Sequence, residues 1–501
     1  MTLDIGTTSL RATLHDEEGR ALASDQRVNL PVYYPDGRVE QDAEAWEIHI
    51  PSILRGIAGK AGLSGVSIAG LSLTAQRSSV IPVDREGQAL RPAIMWQDLR
   101  TKALCTELGR DDRLIFSTTG LRVGTVYSGI KMLWIRRNEP EVFARTYKML
   151  GIHDFVLHML TGRFVTDHTL ASRTNLFDLE KLIWDAGLTA TFGVGPGMLC
   201  DLVPPGSVVG GLLSGMARET GLPSGLPVIS AGGDQQCAAL GLGLFSQDRA
   251  ITNTGTGSYL IGHSDRPLID PEMRVSCNVS GLPGAYIVEA ALPASGSVFR
   301  WFSELFSAGT NACEDDFDSL CAEAEASGPG AKGVLLIPHF NGSGTPLWDS
   351  DARGLFFNLS LSTTRGDMAR AILEGIAFEL GGSLGLLEEL CGTVTSVSVS
   401  GGLTRAPLFN QIQADVFGKP TLRYPGAEAT SLGAWMAGAV ATGIAASYPA
   451  AFASATRAEG PVRFEPSSEN RLRYRELRGR ALAVYAALAA PEIRQLFAQA
   501  K

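Results

Sequence analysis

The stretch "AGGDQQCAALG", Ala231 to Gly241, puts one carboxylate, Asp234, between two glycines and two amides. Gly232 and Gly233 clear space, and Gln235 and Gln236 are residue types that bind hydroxyls. In an arbitrary sequence an aspartate in such a turn more often accepts local backbone amides. A second stretch, "DIGTTSLR", is small and hydroxyl-rich. Its backbone N–H groups and the hydroxyls of Thr7 and Thr8 suit phosphate oxygens, and Gly6 permits close approach of the backbone. Asp4 suits a hydrated magnesium ion, and Arg11 suits a phosphate. One such corner alone is more often an ordinary hairpin turn. The chain holds a second copy, however: Asn253-Thr-Gly-Thr-Gly-Ser258 lies over Asp4-Ile-Gly-Thr-Thr-Ser9, so Gly255 and Thr256 repeat the device. Two such corners facing one ligand would grip a polyphosphate from both sides. A third device, Gly401-Gly402 after "SVSVS", allows a flat group such as a nucleobase or ribose to pack on the turn.

These residues need strands that end in the corners. "LDIGTTSLRATLHDEEGRAL" reads as a short strand, a corner, an alternating strand and a polar turn, and "ITNTGTGSYLIGHSDRPL" repeats that plan almost halfway along the chain. Two related halves follow, with a boundary near residue 247: 1–246 and 247–501. "VSIAGLSLT", "GLPVISAGG" and "SVSVSGG" read as strands. "SGIKMLWIRRNEPEVFARTY", "APLFNQIQADVFG" and "EATSLGAWMAGAV" read as helices. Alternating strands and helices predict layered α/β domains. The first strand is short enough to point to a start upstream of Met1.

Composition narrows the class. The chain has 501 residues, 45% of them hydrophobic and 19% charged, with net charge −9 and no block of like charge. That argues against a nucleic-acid partner but says little about a phosphorylated small molecule, which backbone amides can bind. No apolar run spans a bilayer. "SLGAWMAGAVATGIAAS", Ser431 to Ser447, reads as a buried helix, so no membrane partner is expected. The seven cysteines are scattered without a C-x-x-C pair, which favours reduced thiols in a cytoplasm. The seven histidines include no H-x-x-x-H pair to hold a metal.

Taken in order, "DIGTTSLRA", "GRVEQDAEAW", "TAQRSS", "RPAIMWQDLRT", "YSGIKMLWIRRN", "LTGRFVTDHTLASRTNLFDL", "AGGDQQCAALG", "TNTGTGS", "GTPLWDSDARGLFFNLSL", "ARAILEG", "SGGLTRAPLFNQIQADVFG" and "EATSLGAW" resemble the FGGY family of carbohydrate kinases, the group of glycerol kinase and xylulokinase. Each match is modest, but the ordered set covers nearly the whole chain. The resemblance implies an α/β fold of two actin/hexokinase-like (ribonuclease H-like) domains with ATP and sugar meeting in a cleft between them. It implies an ATP- and Mg2+-dependent kinase of a small sugar or polyol, serving carbohydrate catabolism. It makes Asp234 the catalytic base that takes a hydroxyl proton as the oxygen attacks the γ-phosphate. Gly232 and Gly233 then leave room for the sugar, and Gln235 binds it. It assigns Gln76 and Arg77 to substrate and Gly6, Thr7, Thr8, Arg11, Gly255, Thr256, Gly296 and Gly402 to ATP. Asp4 is the magnesium-water site.

The departures concern substrate. In the triplet Gln76-Arg77-Ser78, glycerol kinase carries Gln-Arg-Glu and xylulokinase Gln-Met-His; the glycerol-contacting tyrosine falls on Val126, beside Tyr127. Ser78 and Val126 together predict a larger, less polar pocket that prefers a ketopentose, tetritol or pentitol over glycerol. "GGDQQ" and Ala171 to Thr174, by contrast, are closer to glycerol kinase, which stays the alternative. A different-class rival is an ATPase of the same fold without transfer to sugar, against which Asp4, Thr8, Thr256 and Asp234 argue. Asn358 stands where the family usually has glycine. Oligomeric state is open, with a homodimer among the options.

Overall fold

The computed structural model describes residues 1–60, 67–306, 314–426, 428–490 and 492–493. Two compact units organise them. The first comprises residues 1–245, 263–287 and 426–458; the second comprises 246–262, 288–425 and 459–501. The chain passes between the units more than once, since two later segments, 263–287 and 426–458, belong to the first.

The first unit is built on a six-stranded sheet ordered Ser207–Gly211, Pro227–Gly233, Leu71–Ala75, Thr2–Ile5, Ser9–His15, Ala21–Val28. The three middle strands of the chemistry, Pro227–Gly233, Leu71–Ala75 and Thr2–Ile5, run parallel. Side chains alternate faces along each strand. Leu3, Ile5, Leu71 and Leu73 enter one core with Trp46, Ile50 and Leu54 of the helix Ala43–Lys60 and with Phe155, Val156 and Leu160 of the helix Ile152–Thr161. Thr2 and Ser72 point the other way, to the helix Ala429–Ala441: Thr2 Oγ1 lies 2.8 Å from Ser431 Oγ, and Ser72 Oγ donates to Ala434 O at 2.6 Å. That helix is buried as expected, ending at Ala441 short of a membrane span. Its glycines let it approach the helix Asp234–Gly241 closely. A Cβ on Gly433 would sit 1.8 Å from Cys237 O, and one on Gly241 would sit 2.0 Å from Ala429 O. No helix among the described residues is long and apolar enough to cross a membrane.

The second unit repeats the plan. Arg249–Thr254 pairs antiparallel with Ser258–Ser264 and parallel with Ser396–Ser400, which pairs parallel with Thr421–Arg423. Both predicted hairpins are present. The helix expected over residues 128–147 is instead two, Ser128–Asn138 and Pro140–Arg145. Pro140 has no N–H to continue the first helix and its ring disfavours a helical Glu139, so the chain breaks there. The helix Pro407–Phe417 ends at Gly418, whose φ of 64° is the left-handed C-cap that glycine supplies.

Candidate functional site

Ligand sites of open α/β sheets lie beyond the carboxyl ends of parallel strands. In the first unit those ends are Gly6-Thr7-Thr8, Gln76-Arg77-Ser78 and Asp234. The sheet therefore brings together, within one unit, three stretches that the sequence keeps about seventy and a hundred and sixty residues apart. Asp234 is the first residue of its helix, and Gln235 N donates to its Oδ1 at 2.7 Å. The local turn bond and an accessible carboxylate thus coexist, with the Asp234 side chain 29% exposed. Arg77 is buried and holds Nε 3.5 Å from Asp234 Oδ1, while its Nη1 donates to Gln236 Oε1 at 3.3 Å.

The two glycines before Asp234 make room for protein side chains. A Cβ on Gly233 would meet Gln236 Oε1 at 2.7 Å and Arg77 Cδ at 2.8 Å; one on Gly232, whose φ is 114°, would meet Thr169 Oγ1 at 2.9 Å. They make room for the side chains that hold the turn. Gly233 N donates to Thr169 Oγ1 at 2.9 Å. Thr169 Oγ1 in turn donates to the buried Asp167 at 2.5 Å, whose other oxygen accepts from Ser230 Oγ at 2.6 Å. Asp167 and Thr169 lie in a stretch that carries the family resemblance and Ser230 in a predicted strand, but nothing in the sequence linked the three to the turn before Asp234.

Asp4 and Arg11 face each other across the first hairpin. Arg11 Nη1 forms an ion pair at 2.5 Å with Glu428, far away in the chain. Burial pushes the Asp4 carboxyl up to about 7; the negative charges of Asp234 and Glu428 add to that, and Arg11 opposes it. Thr7 is positioned twice: its hydroxyl donates to Gln76 Oε1 at 3.2 Å and accepts from Trp96 Nε1 at 3.0 Å. Thr8 is exposed, with its carbonyl accepting from Asn29 N. Trp96 and Glu428 lie in stretches that carried the family resemblance, but nothing in the sequence linked them to the corner.

Ser78 is buried and has a φ of 70°, and its hydroxyl donates to Arg173 O at 3.3 Å. The Arg173 guanidinium lies 5.0 Å over the Tyr127 ring. Buried Lys131 ties down the loop that carries Val126 and Tyr127, donating to the carbonyls of Thr125, Val126 and Tyr127 at 2.8, 2.5 and 3.2 Å. Burial lowers its ammonium to about 7.

In the second unit Gly255, Thr256, Gly296 and Gly402 line one cavity of about 570 Å³ with Phe299 and Arg405. The corner is locked from behind: Thr256 O accepts from Ser295 N, Ser297 N and Ser297 Oγ, and Gly255 O accepts from Gly296 N. A Cβ on Gly296 would sit 2.3 Å from Gly255 O. Gly401 has a φ of 99° and passes so close to Thr254 that only glycine fits, whereas space beside Gly402 is open. Phe299 and Arg405, the latter 5.6 Å over the Phe317 ring, give this cavity aromatic and cationic walls that the glycine motifs did not reveal. Asn358 has a φ of 66° and donates to Gly333 O at 3.0 Å. Asn is among the residues that best tolerate that backbone region, which explains its standing in for glycine.

The fold is a two-unit α/β architecture with the candidate residues at the strand ends of the first unit. Residues 1–241 match the N-terminal domain and residues 250–442 the C-terminal domain of the FGGY family of carbohydrate kinases, and the chain belongs to that family. It is 33% identical over 460 residues to glycerol kinase 2 of Streptomyces avermitilis, covering 88% of each chain. It is 29% identical over 486 residues to the xylulose kinase of Lactococcus lactis subsp. lactis, covering 95% of this chain and 94% of the relative. The xylulose kinase from Rhodospirillum rubrum superposes with a TM-score of 0.88 at 28% identity, over 97% of this chain and 98% of that one. The chain is a kinase that transfers phosphate from ATP to an alcohol group of a small sugar or polyol.

Proposed function

We propose that this enzyme phosphorylates a hydroxyl of a four- or five-carbon polyol or ketose, with Asp234 as general base. The observation that carries the reading is Asp234 at a strand end beside Gln76-Arg77-Ser78, with the small Ser78 in the place of a glutamate. Asp234 takes the hydroxyl proton as that oxygen bonds to the γ-phosphorus and the bond to the ADP oxygen breaks. Arg77 orients the carboxylate, and Gln76 and Gln235 supply bonds to substrate hydroxyls. Gly6, Thr7, Thr8 and Arg11 form a phosphate-binding corner in the first unit, and Gly255, Thr256, Gly296 and Gly402 form a nucleotide-binding cavity in the second, with Phe299 and Arg405 on its wall.

Magnesium fits Asp4. The residues offer oxygen donors, the carboxylate is crowded by Asp234 and Glu428, and a hydrated ion needs only one or two carboxylates. When bound it neutralises charge on the polyphosphate. The described cysteines are free thiols, which supports a reducing cytoplasm.

Glycerol is the second reading, favoured by the 33% identity to a glycerol kinase. ADP release with glycerol, tetritols, pentitols and ketopentoses separates the two. The proposal expects a four- or five-carbon compound to have the highest kcat/KM, and glycerol at the top would overturn it.

A further inference from the structure

Gln76 and Ser78 also line a small cavity of about 30 Å³ inside the first unit. His153 and Asp154, at the start of the helix Ile152–Thr161, stand on its wall. His153 is 1% exposed and Asp154 7%. His153 Nε2 lies 3.2 Å from Leu73 O. A carbonyl only accepts, so Nε2 carries a proton, and with a single proton on the ring Nδ1 is an acceptor. That Nδ1 has no hydrogen-bond partner. Asp154 accepts from Gly151 N through Oδ2 at 2.8 Å and leaves Oδ1 without a partner. The two unpaired acceptors are 3.8 Å apart.

Buried acceptors left unpaired are costly, so this pair calls for donors. One hydroxyl brings a single hydrogen; two vicinal hydroxyls bring one for each acceptor. The space suits about two water-sized groups, hence the two oxygens of a diol in place of two waters. Ser78 is short, turns its hydroxyl to Arg173 O and shares the cavity wall with Gln76.

We propose that this cavity is the subsite for the distal vicinal hydroxyls of the substrate, and that His153 and Asp154 determine specificity for compounds longer than three carbons. The inference rests on the reading that a polyol or ketose is held at Gln76-Ser78 beside Asp234. A longer chain carries a vicinal pair of hydroxyls further from the reacting hydroxyl than glycerol does.

Two variants test it. His153→Leu removes one acceptor. Asp154→Asn keeps an oxygen for Gly151 N and turns the other acceptor into a donor. Steady-state kinetics with glycerol, erythritol, xylitol and xylulose give the ratio of kcat/KM for the best longer compound to that for glycerol. Both variants are expected to lower this ratio at least tenfold, mainly by raising KM for the longer compound. A ratio within twofold of wild type in both, with urea midpoints unchanged, would overturn the subsite. So would a crystal structure with the longer compound bound and water still in the cavity. A wild type that phosphorylates none of the four overturns the four- or five-carbon substrate reading beneath it, and the subsite with it.

Discussion

Arg77 Nε stands 3.5 Å from Asp234 Oδ1, and the same guanidinium is held by Gln236. The carboxylate proposed as the base therefore has a fixed cationic neighbour. Arg77→Met keeps the buried stem and removes the charge. It is expected to lower kcat about 10–100-fold by loosening the carboxylate, since small misplacements of a reacting group have large rate effects. KM for ATP is expected to stay within about threefold. A variant with unchanged kcat would remove Arg77 from the site.

Thr8 and Thr256 occupy equivalent corners of the two hairpins. If both bind one polyphosphate, Thr8→Val and Thr256→Val should each raise KM for ATP, and the double variant should depart from the sum of the two. Residues that share a ligand couple by roughly 0.5–3 kcal/mol, and independent sites add. Strict additivity with unaltered ATP dependence would show two structural turns.

Ser78 and Val126 are proposed to favour substrates longer than glycerol. Ser78→Glu restores a carboxylate where glycerol would otherwise leave polar groups unpaired, a loss of roughly 1–3 kcal/mol per group. The variant should raise kcat/KM for glycerol relative to the longer substrates, and Val126→Tyr should add to the shift. An unchanged ratio in the double variant contradicts this role for the two positions.

Asp367 tests the scaffold of the second unit. Its carboxylate caps the helix Arg365–Cys391 through Thr364 N, accepts from Ser327 Oγ at 2.6 Å and pairs with Lys332 Nζ at 3.0 Å. Although burial opposes ionisation, the bonds from Ser327, Thr364 and Lys332 hold the carboxyl well below the usual range. A depressed folded-state value means the stabilisation is present above pH about 4 and is lost as pH falls further. Asp367→Ala should cost about 1–2 kcal/mol at pH 7 and clearly less at pH 3. Urea unfolding at the two pH values checks this, and an equal gap at both contradicts it.

The corners were legible because Gly-Thr clusters break strands in a recognisable way, and Asp234 because its glycines and amides are an unusual set. The function of those glycines was not. Only the fold shows that Arg77, Gln236 and Thr169 fill the space they leave. Glu428 was out of reach for the same reason, since it meets Arg11 across more than four hundred residues of sequence. The break at Pro140 was visible in the chain, but the apolar spacing on both sides of it masked the interruption. Phe299 of the helix Gly296–Phe306 and Arg405 beyond the Gly401-Gly402 turn meet at the second-unit cavity only in the fold, about a hundred residues apart in sequence.

The central claim is that Asp234 accepts the proton of the substrate hydroxyl, and Asp234→Asn tests it most directly. The amide keeps the shape and removes the base. Turnover with the preferred substrate is expected to fall about 10²–10⁴-fold, while calorimetry shows substrate affinity within a few-fold of wild type. Turnover within a few-fold of wild type would contradict the account.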